Sequence, residues 1–266
     1  MPRARRHFLP NLVWHITHRC HKKQFLLRFA RDRRQWVHWL YQARKRFGLS
    51  VLNYVVTSNH IHLLVHDRGR GEISRSMQLV AGRTAQAYNR RKNRGGAFWE
   101  DRYHATAVAA DAHLVRCLTY VDLNMVRAGA VAHPVEWGEG GYHEIQRPPK
   151  RYRIVDVPTL TALLGMEQHE LRRAHSAWVS AALAARRVTR EALWSESVAV
   201  GSREFVGRVK QELHLDDKHH PVQERGSLFR LRESTPRYRA QIGAEMGALS
   251  ARWGCDSGAT YWAAMG

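Results

Sequence analysis

The sequence has few acidic residues for its length. Its 266 residues include 23 Asp and Glu against 43 Lys and Arg, which gives a formal net charge of +20. A small domain typically carries a net charge of only about 2–8. The excess therefore indicates a polyanionic partner, of which nucleic acid is the commonest case.

Long apolar runs are also missing. No stretch approaches the roughly 18 consecutive apolar residues of a spanning helix, and the N-terminus has no signal-peptide core. The basic residues are spread along the chain rather than gathered into one amphipathic segment. We therefore expect no membrane partner and favour nucleic acid.

Cysteine is scarce as well. Cys20, Cys117 and Cys255 lie far apart and form no C-x-x-C pair. Such a set is typical of a reduced protein, and it argues against a disulfide framework and against a thiolate zinc site. We expect a cytoplasmic protein.

The hydrophobic pattern of the first half alternates between strand and helix periods. It predicts a strand over 11–20, a helix over 30–47 that ends at Gly48, two strands within 49–65, a helix over 71–92, a short strand within 97–109, and a helix over 111–127 with Asp111 as its N-cap. This order predicts an α+β fold with a ferredoxin-like antiparallel sheet and helices packed on one face.

Residues 146–153 (QRPPKRYR) combine two prolines with four basic residues and predict a linker. We expect one domain over residues 1–145 and a mainly helical extension over residues 154–266. Helices are predicted near 159–164, 170–187 and 203–213. The extension shows no helix-turn-helix pattern, and DNA binding is one role open to it.

Residues 59–65 (NHIHLLV) place two histidines at alternate positions of a strand. Side chains at i and i+2 share a face. His60 and His62 therefore predict half of a metal site, for which imidazole favours ions such as Mn²⁺, Zn²⁺ or Fe²⁺ over Ca²⁺. In a chain with 17 histidines such a pair can also be merely solvated, so a third ligand is needed.

Tyr120 and Asn124 lie four residues apart on a predicted helix, so they share a face. An amide oxygen is a neutral ligand for a divalent cation, and Asn124 can supply the third ligand beside a phenol. Tyr120 could then attack a phosphodiester that the metal polarises, forming a covalent phosphotyrosine. The alternative is a core tyrosine and a surface asparagine; the histidine pair favours the catalytic interpretation.

Together, in this order and spacing, these segments resemble the HUH single-tyrosine transposases, and especially the REP-associated tyrosine transposases. The resemblance extends over roughly residues 8–145. It rests on YVVTSNHIHLLV (54–65), SMQLVAGRTAQAYN (76–89), GAFWEDRY (96–103), YVDLNMVRAG (120–129), and Trp137 followed by Gly141 and Tyr142.

The resemblance implies metal-dependent cleavage and rejoining of single-stranded DNA near hairpins through a 5′-phosphotyrosine. It implies Tyr120 as the nucleophile and His60, His62 and Asn124 as ligands of Mg²⁺ or Mn²⁺. The implied partner is single-stranded or hairpin DNA, and a homodimer is compatible with it. Where the family often has proline, this chain has Ser58 and Met125. Because φ is then free, the helix can continue past Asn124.

Basic clusters at the N-terminus and after the second helix are expected to contact phosphates. Trp99 could stack on an unpaired base or pack under a hairpin. The DNA-binding candidates are Arg3, Arg5, Arg6, Arg90, Arg91, Lys92, Arg94, Trp99 and Arg102. Tyr88 and Tyr103 are rival nucleophiles, but neither has an amide or carboxylate four residues on.

Two other functions stay open. A two-histidine phosphoesterase needs two H-x-[S/T] motifs; residues 15–17 (HIT) match, but residues 60–62 (HIH) lack the hydroxyl. The other is a non-catalytic DNA-hairpin-binding protein derived from a transposase. The presence of all four chemical residues argues against it.

Overall fold

The first half of the chain folds into the elements that its pattern predicts. The computed structural model describes residues 9–185, 191–226 and 228–232. Its first elements are β1 (Val13–Arg19), α1 (Ala30–Phe47), β2 (Ser50–Val56), β3 (His60–His66), α2 (Glu72–Arg91) and β4 (His104–Val108). A 3₁₀ turn, His21–Lys23, follows β1. The strands and helices predicted up to residue 109 are confirmed.

The four strands form an antiparallel sheet in the order β2-β3-β1-β4. This is the strand order of a ferredoxin-like βαββαβ unit. The two central strands, β1 and β3, pair from Val13 with His66 to Arg19 with His60. The predicted fold class is confirmed, and both histidines of interest lie on a central strand.

The buried face and the C-terminal end of helix α1 both follow from its sequence. Trp36, Leu40 and Ala43 recur at helical spacing and are buried against the sheet. The helix ends at Gly48, whose φ of 72° is left-handed and whose N–H donates to the Arg44 carbonyl (2.9 Å). Glycine adopts this conformation at little cost, and it ends the helix where the sequence predicts.

The side chains of β1 show how the two faces of the sheet differ. His18 stacks on Trp99 (4.1 Å between ring centroids), and the Trp99 indole donates to the Ala81 carbonyl of α2 (3.0 Å). This face carries α2, against which α1 packs. His15 and Thr17 alternate with His18 and therefore project from the opposite face.

That opposite face is covered by a helix as well. The helix predicted over 111–127 is divided into α3 (Ala112–Asp122) and α4 (Asn124–Arg127), with Leu123 between them (φ −76°, ψ 5°). Asp111 caps α3 by accepting from the His113 N–H (2.8 Å), as predicted. The prediction of one continuous helix was therefore wrong, although Met125, which has the N–H that proline lacks, allows α4 to form.

Helix α3 packs on β2 and β3. The physical reason is that both strands are buried on both faces: every residue of β2 is buried, and so are the five central residues of β3. Such strands need cover on each side. The sequence predicted helices on one face of the sheet only. Helices α1 and α2 agree with this, but α3, which carries Tyr120, covers the other face.

The second half of the chain extends the sheet. Its elements are α5 (Tyr142–Gln146), α6 (Val157–Leu164), α7 (Gln168–Ala184), α8 (Leu193–Glu196), β5 (Ser197–Gly201), α9 (Arg203–Glu212), β6 (Val222–Arg225) and β7 (Leu228–Arg232). Helices α6, α7 and α9 confirm the predicted ones. Within the described ranges the full sheet order is β2-β3-β1-β4-β5-β7-β6.

The strands β5, β6 and β7 were not predicted, because runs of four or five residues are too short to show a period. The division of the chain at residues 146–153 stays a prediction, and Ile145 and Ile154 on either side of it are buried in one core. No helix in the described part is long and apolar enough to cross a membrane.

A buried polar network joins α3 to β2, α5 and α7. The Asp122 carboxylate accepts from Asn53 Nδ2 (2.9 Å) and from His175 Nε2 (2.7 Å), and Gln146 Nε2 donates to His175 Nδ1 (2.8 Å). Since an amide nitrogen only donates, His175 Nδ1 must accept, and its proton lies on the nitrogen facing Asp122. Every link of the network is thus satisfied.

We expect Asp122→Ala to lower the free energy of unfolding by roughly 3 kcal/mol, because it leaves buried His175 Nε2 without an acceptor and removes one of the two acceptors of Asn53 Nδ2. Urea unfolding measures the loss. Asp111→Ala is the control: it removes an exposed helix cap and should cost about 1 kcal/mol. Equal losses in the two variants would show that the network contributes no more than a surface cap.

Candidate active site

An open cleft of about 700 Å³ lies beside the central strands, on the side of the sheet that α3 covers. Four of its lining residues are the ones that the sequence singled out: His60, His62, Tyr120 and Asn124. Two come from alternate positions of β3, and two come from α3 and α4. The fold therefore brings together side chains that are separated by about sixty positions in the chain.

The two histidines lie side by side, as the strand period predicts. Their ring centroids are 4.9 Å apart and the ring planes are nearly perpendicular (82°). Ile61 between them is fully buried in the core, which fixes the direction of both neighbours. The Tyr120 ring lies 5.7 Å from the His62 ring, centroid to centroid.

The tautomer of His60 is set by its neighbours in the turn before β3. The Thr57 hydroxyl donates to the His60 carbonyl (2.8 Å), so its oxygen is an acceptor towards His60 Nδ1 (3.0 Å). Asn59 Oδ1, 2.7 Å from the same nitrogen, is a second acceptor. Nδ1 therefore carries the proton, and the lone pair of neutral His60 is on Nε2.

His62 is oriented by a chain of three groups that crosses the sheet. His15 Nδ1 lies 2.8 Å from the Trp194 carbonyl, which can only accept, so His15 donates there. His15 Nε2 lies 3.0 Å from His62 Nδ1 and, in a neutral ring, must accept from it. The lone pair of neutral His62 is then also on Nε2.

His15 is neutral at ordinary pH. It is fully buried, and this burial lowers its pKa from 6.5 to about 4, although the hydrogen bond to the Trp194 carbonyl opposes the shift. The positive charges of His104 and Arg127 lower the pKa further. A neutral ring keeps the acceptor that His62 needs.

Tyr120 is only 6% exposed and is bordered by a cation. The Arg127 guanidinium lies 3.9 Å over the centre of its ring and donates to its carbonyl oxygen (2.7 Å). Burial lowers the pKa of Arg127, an effect that nearby Tyr120 opposes. An arginine remains charged at any ordinary pH, so a full positive charge lies against the face of the Tyr120 ring.

Two residues of this arrangement were missed by the sequence reasoning. Arg127 is seven positions after Tyr120, and i, i+4 and i+7 form one helix face, so its place could have been found. His15 shares a face with Thr17 on a predicted strand, but nothing in the sequence indicates that the Trp194 carbonyl, 179 positions away, would fix its ring.

Of the four basic candidates around the end of α2, two bond to the protein itself. Arg91 pairs with Asp32. Arg94 donates to Asn89 Oδ1 (3.2 Å) and to the Ala97 carbonyl (3.0 Å). Arg90 and Lys92 are exposed at the end of the helix.

The remaining candidates differ in position. Arg102 is exposed and lines the cleft. Trp99 is partly buried, stacked on His18 and bonded to α2, which is a packing role. Arg3, Arg5 and Arg6 lie outside the described residues. Three further cationic side chains that the sequence did not single out line the cleft: Arg19, Lys23 and Arg127.

The rival nucleophiles are placed elsewhere. Tyr88 is on α2, across the sheet from the two histidines, and packs on Phe98 (5.1 Å). Tyr103 is buried, with its ring against His18 (6.3 Å). The alternative H-x-T motif is also unfavourable for catalysis, because His15 is fully buried and both its nitrogens are engaged.

Comparison with known families gives a match over the first half of the chain. A model of the IS200-like transposases matches residues 9–124, which include both histidines, Tyr120 and Asn124. Comparison with curated proteins gives no match.

Two solved structures are similar to parts of this chain. A REP-associated tyrosine transposase bound to a REP hairpin is similar over 59% of this chain and 94% of its own, with 16% identity and a TM-score of 0.47. A proposed transposase from Deinococcus radiodurans R1 is similar over 39% of this chain and 84% of its own, with 16% identity and a TM-score of 0.31. The family match supports the predicted resemblance: residues 9–124 of this chain are similar to the IS200-like transposases.

Proposed function

We propose that the protein is a metal-dependent endonuclease of the transposase type. It cleaves and rejoins single-stranded DNA near hairpins through a covalent 5′-phosphotyrosine, with Tyr120 as the nucleophile. The observation that carries the proposal is that His60, His62 and Asn124 line the same cleft as Tyr120, within the segment that matches the family. The hairpin preference follows from the resemblance of the motifs to the REP-associated subgroup.

The donor set fits a divalent cation. Neutral His60 and His62 both have their lone pair on Nε2, since each Nδ1 donates to a neighbour, and the Asn124 amide adds an oxygen. No group of three His, Cys, Asp or Glu side chains in the described ranges could hold an ion, so the amide is essential to the set. Nitrogen and oxygen ligands of this kind suit Mn²⁺ or Mg²⁺. When bound, the ion polarises a phosphate oxygen and stabilises charge that develops on the phosphoryl group.

The phenol of Tyr120 attacks phosphorus. A bond forms between Tyr120 Oη and phosphorus, and the bond from phosphorus to the O3′ of the preceding nucleotide breaks. The phenol loses its proton, and the departing O3′ gains one. The guanidinium of Arg127 over the ring stabilises the phenolate that attacks.

Rejoining is the same step in reverse. A 3′-hydroxyl attacks the phosphotyrosine and Tyr120 leaves as phenolate, so the energy of the phosphodiester is retained and no nucleotide cofactor is needed. Positive side chains around the cleft hold the strand by its phosphates. These are Arg19, Lys23, Arg102 and Arg127.

The proposal is tested by following each end of a labelled hairpin oligonucleotide. A hairpin oligonucleotide with single-stranded flanks is incubated with the protein and Mn²⁺, labelled either at its 3′ or at its 5′ end. We expect the 3′ label to become covalently attached to the protein on a denaturing gel, and the 5′ label to appear in a shorter strand with a free 3′-hydroxyl. EDTA should abolish both products.

Each alternative gives a different result. Binding without any adduct in Mg²⁺ or Mn²⁺ would favour the non-catalytic DNA-hairpin-binding protein. Cleavage without an adduct would favour the phosphoesterase.

His15 is proposed as a positioning residue for His62, since it accepts the proton that fixes the ring. We expect His15→Asn to weaken Mn²⁺ binding roughly 10–100-fold, because asparagine can reach the Trp194 carbonyl but not His62. His15→Gln places an amide oxygen near the position of Nε2 and should retain most of the affinity. Isothermal titration calorimetry measures both.

A purely structural role of His15 would give a different pattern. Thermal unfolding without metal shows how much each variant loses in stability alone. If His15→Asn and His15→Gln bind Mn²⁺ equally well, His15 only fills space between the sheet and α8.

A further inference from the structure

The segment between β1 and α1 exposes two aromatic rings. Residues 21–29 read HKKQFLLRF and are named the aromatic loop here. Phe25 is 66% exposed and Phe29 is 57% exposed, whereas Leu26 and Leu27 between them are buried. The loop is thus anchored by its leucines and directs its phenylalanines outwards.

Neither ring belongs to the hydrophobic core. Phe29 is the N-cap residue of α1, and no side chain caps the helix there. An Asp, Asn, Ser or Thr at this position would stabilise the helix by about 1 kcal/mol. A largely exposed phenylalanine in its place is unfavourable for stability, which favours a binding role.

The surroundings of the two rings are cationic. The Arg28 guanidinium lies 5.9 Å and the Lys92 ammonium 5.7 Å from the centre of the Phe29 ring. Lys22 and Lys23 begin the loop, and the single acid within residues 21–34, Asp32, is buried and paired with Arg91. Positive charge interleaved with aromatic faces is the composition that holds single-stranded nucleic acid.

The aromatic loop is fastened to the turn that precedes His60. The Leu27 N–H donates to the Ser58 carbonyl (2.9 Å), and Asn59 Nδ2 donates to the Lys23 carbonyl (3.3 Å). The other end of the same Asn59 amide accepts from His60 Nδ1. One side chain therefore links the loop to a proposed metal ligand.

The loop also borders the cleft. Lys23 lines it, and Phe25 follows two residues later, at most about 7 Å along the backbone. Lys22 and Lys23 have φ of 50° and 58°, a left-handed conformation that costs a non-glycine residue about 1–2 kcal/mol. Two such residues in succession turn the chain from the rim of the cleft to the exposed rings.

We propose that the aromatic loop, together with Lys92, is a stacking surface for unpaired nucleotides of the DNA strand that enters the cleft. Bases stack on Phe25 and Phe29, and the cations of the loop and Lys92 hold the intervening phosphates. This rests on the proposed function, because it assumes a single strand in the cleft. The positive charge favours DNA as the partner, because a protein or a lipid tail would not require this many cations around two rings.

The test measures binding in the absence of cleavage, with Tyr120→Phe as the parent protein and EDTA present. Fluorescence anisotropy gives the affinity for three hairpins: one with unpaired flanks, one with abasic flanks of the same length, and one with blunt ends. Removing both rings (Phe25→Ala with Phe29→Ala) should weaken binding to the flanked hairpin by roughly tenfold per ring. Binding to the blunt hairpin should change little.

The abasic flanks distinguish stacking from phosphate contacts. They should weaken binding of the parent protein about as much as the double substitution does, and they should have little further effect on the doubly substituted protein. Phe25→Trp with Phe29→Trp should restore the affinity for the base-containing flanks. Tyr152→Ala is the matched control: Tyr152 is 73% exposed between Arg151 and Arg153, but it lies outside the aromatic loop.

Three results would overturn the proposal. One is an equal effect of abasic flanks on the parent and on the doubly substituted protein. Another is a loss in Tyr152→Ala as large as that of the double substitution. The third is a dimeric parent protein that becomes monomeric when the rings are removed, since the rings would then contact a second copy. If instead this binding pattern holds and no adduct forms with unsubstituted Tyr120, the stacking surface stands and the proposed chemistry fails.

Discussion

Tyr120→Phe is expected to abolish the covalent adduct with DNA. The substitution removes one oxygen from a ring that is already packed between His62, Trp194 and Arg127, so the fold and the DNA affinity should persist. Loss of the nucleophile in covalent catalysis costs at least about 10⁴-fold. The adduct should therefore fall below detection on a denaturing gel.

The controls for this result are the two other tyrosines considered as nucleophiles. Tyr88→Phe and Tyr103→Phe remove the same oxygen from rings on the other side of the sheet, and each should form the adduct. An adduct that persists in Tyr120→Phe and disappears in Tyr103→Phe would transfer the role of nucleophile and disprove the assignment of the site.

His62→Ala has the second largest expected effect. It removes a proposed ligand and also leaves His15 without its donor. We expect Mn²⁺ affinity to fall by at least about 100-fold and adduct formation by roughly 10³-fold, since in the proposed mechanism a bound ion supplies several kcal/mol of charge stabilisation. Calorimetry measures the affinity, and the labelled hairpin measures the adduct.

Specificity matters in a chain with 17 histidines. His38→Ala is the matched control, because His38 is exposed on α1, beyond the opposite face of the sheet. It should leave both measurements unchanged. His62→Asn, which keeps a polar side chain in a site only 4% exposed, separates loss of the ligand from loss of stability. Unaltered Mn²⁺ binding in both His62 variants would exclude the histidine pair as the metal site.

Much of the fold could be predicted because local patterns determine it. The ends of α1 follow from apolar spacing and Gly48, and the two faces of β3 follow from strand alternation. The break at Leu123 could not be predicted, since residues 111–127 read as one helical pattern. Short strands such as β5, which pairs in parallel with β4, depend on partners distant in the sequence.

In the candidate site, too, local patterns predict some contacts and distant residues determine the others. The pairing of His60 with His62 and of Tyr120 with Asn124 follows from the periods of a strand and a helix. The proximity of the two pairs depends on the tertiary fold. It is consistent with the order of the motifs that resemble the family. The bonds that fix the ring of each histidine come from Thr57, Asn59 and His15, and only the first two are near in sequence.

The bond from His15 to the Trp194 carbonyl has a consequence for how the protein can be shortened. A chain cut after residue 145 would keep every side chain named in the proposed chemistry, yet nothing would then hold the hydrogen of His15 away from His62. The rings could exchange tautomers, and His62 would turn its N–H towards the ion for part of the time. An inactive fragment of this length would accordingly say little about Tyr120, because the proposed site would lack the carbonyl that orients His15.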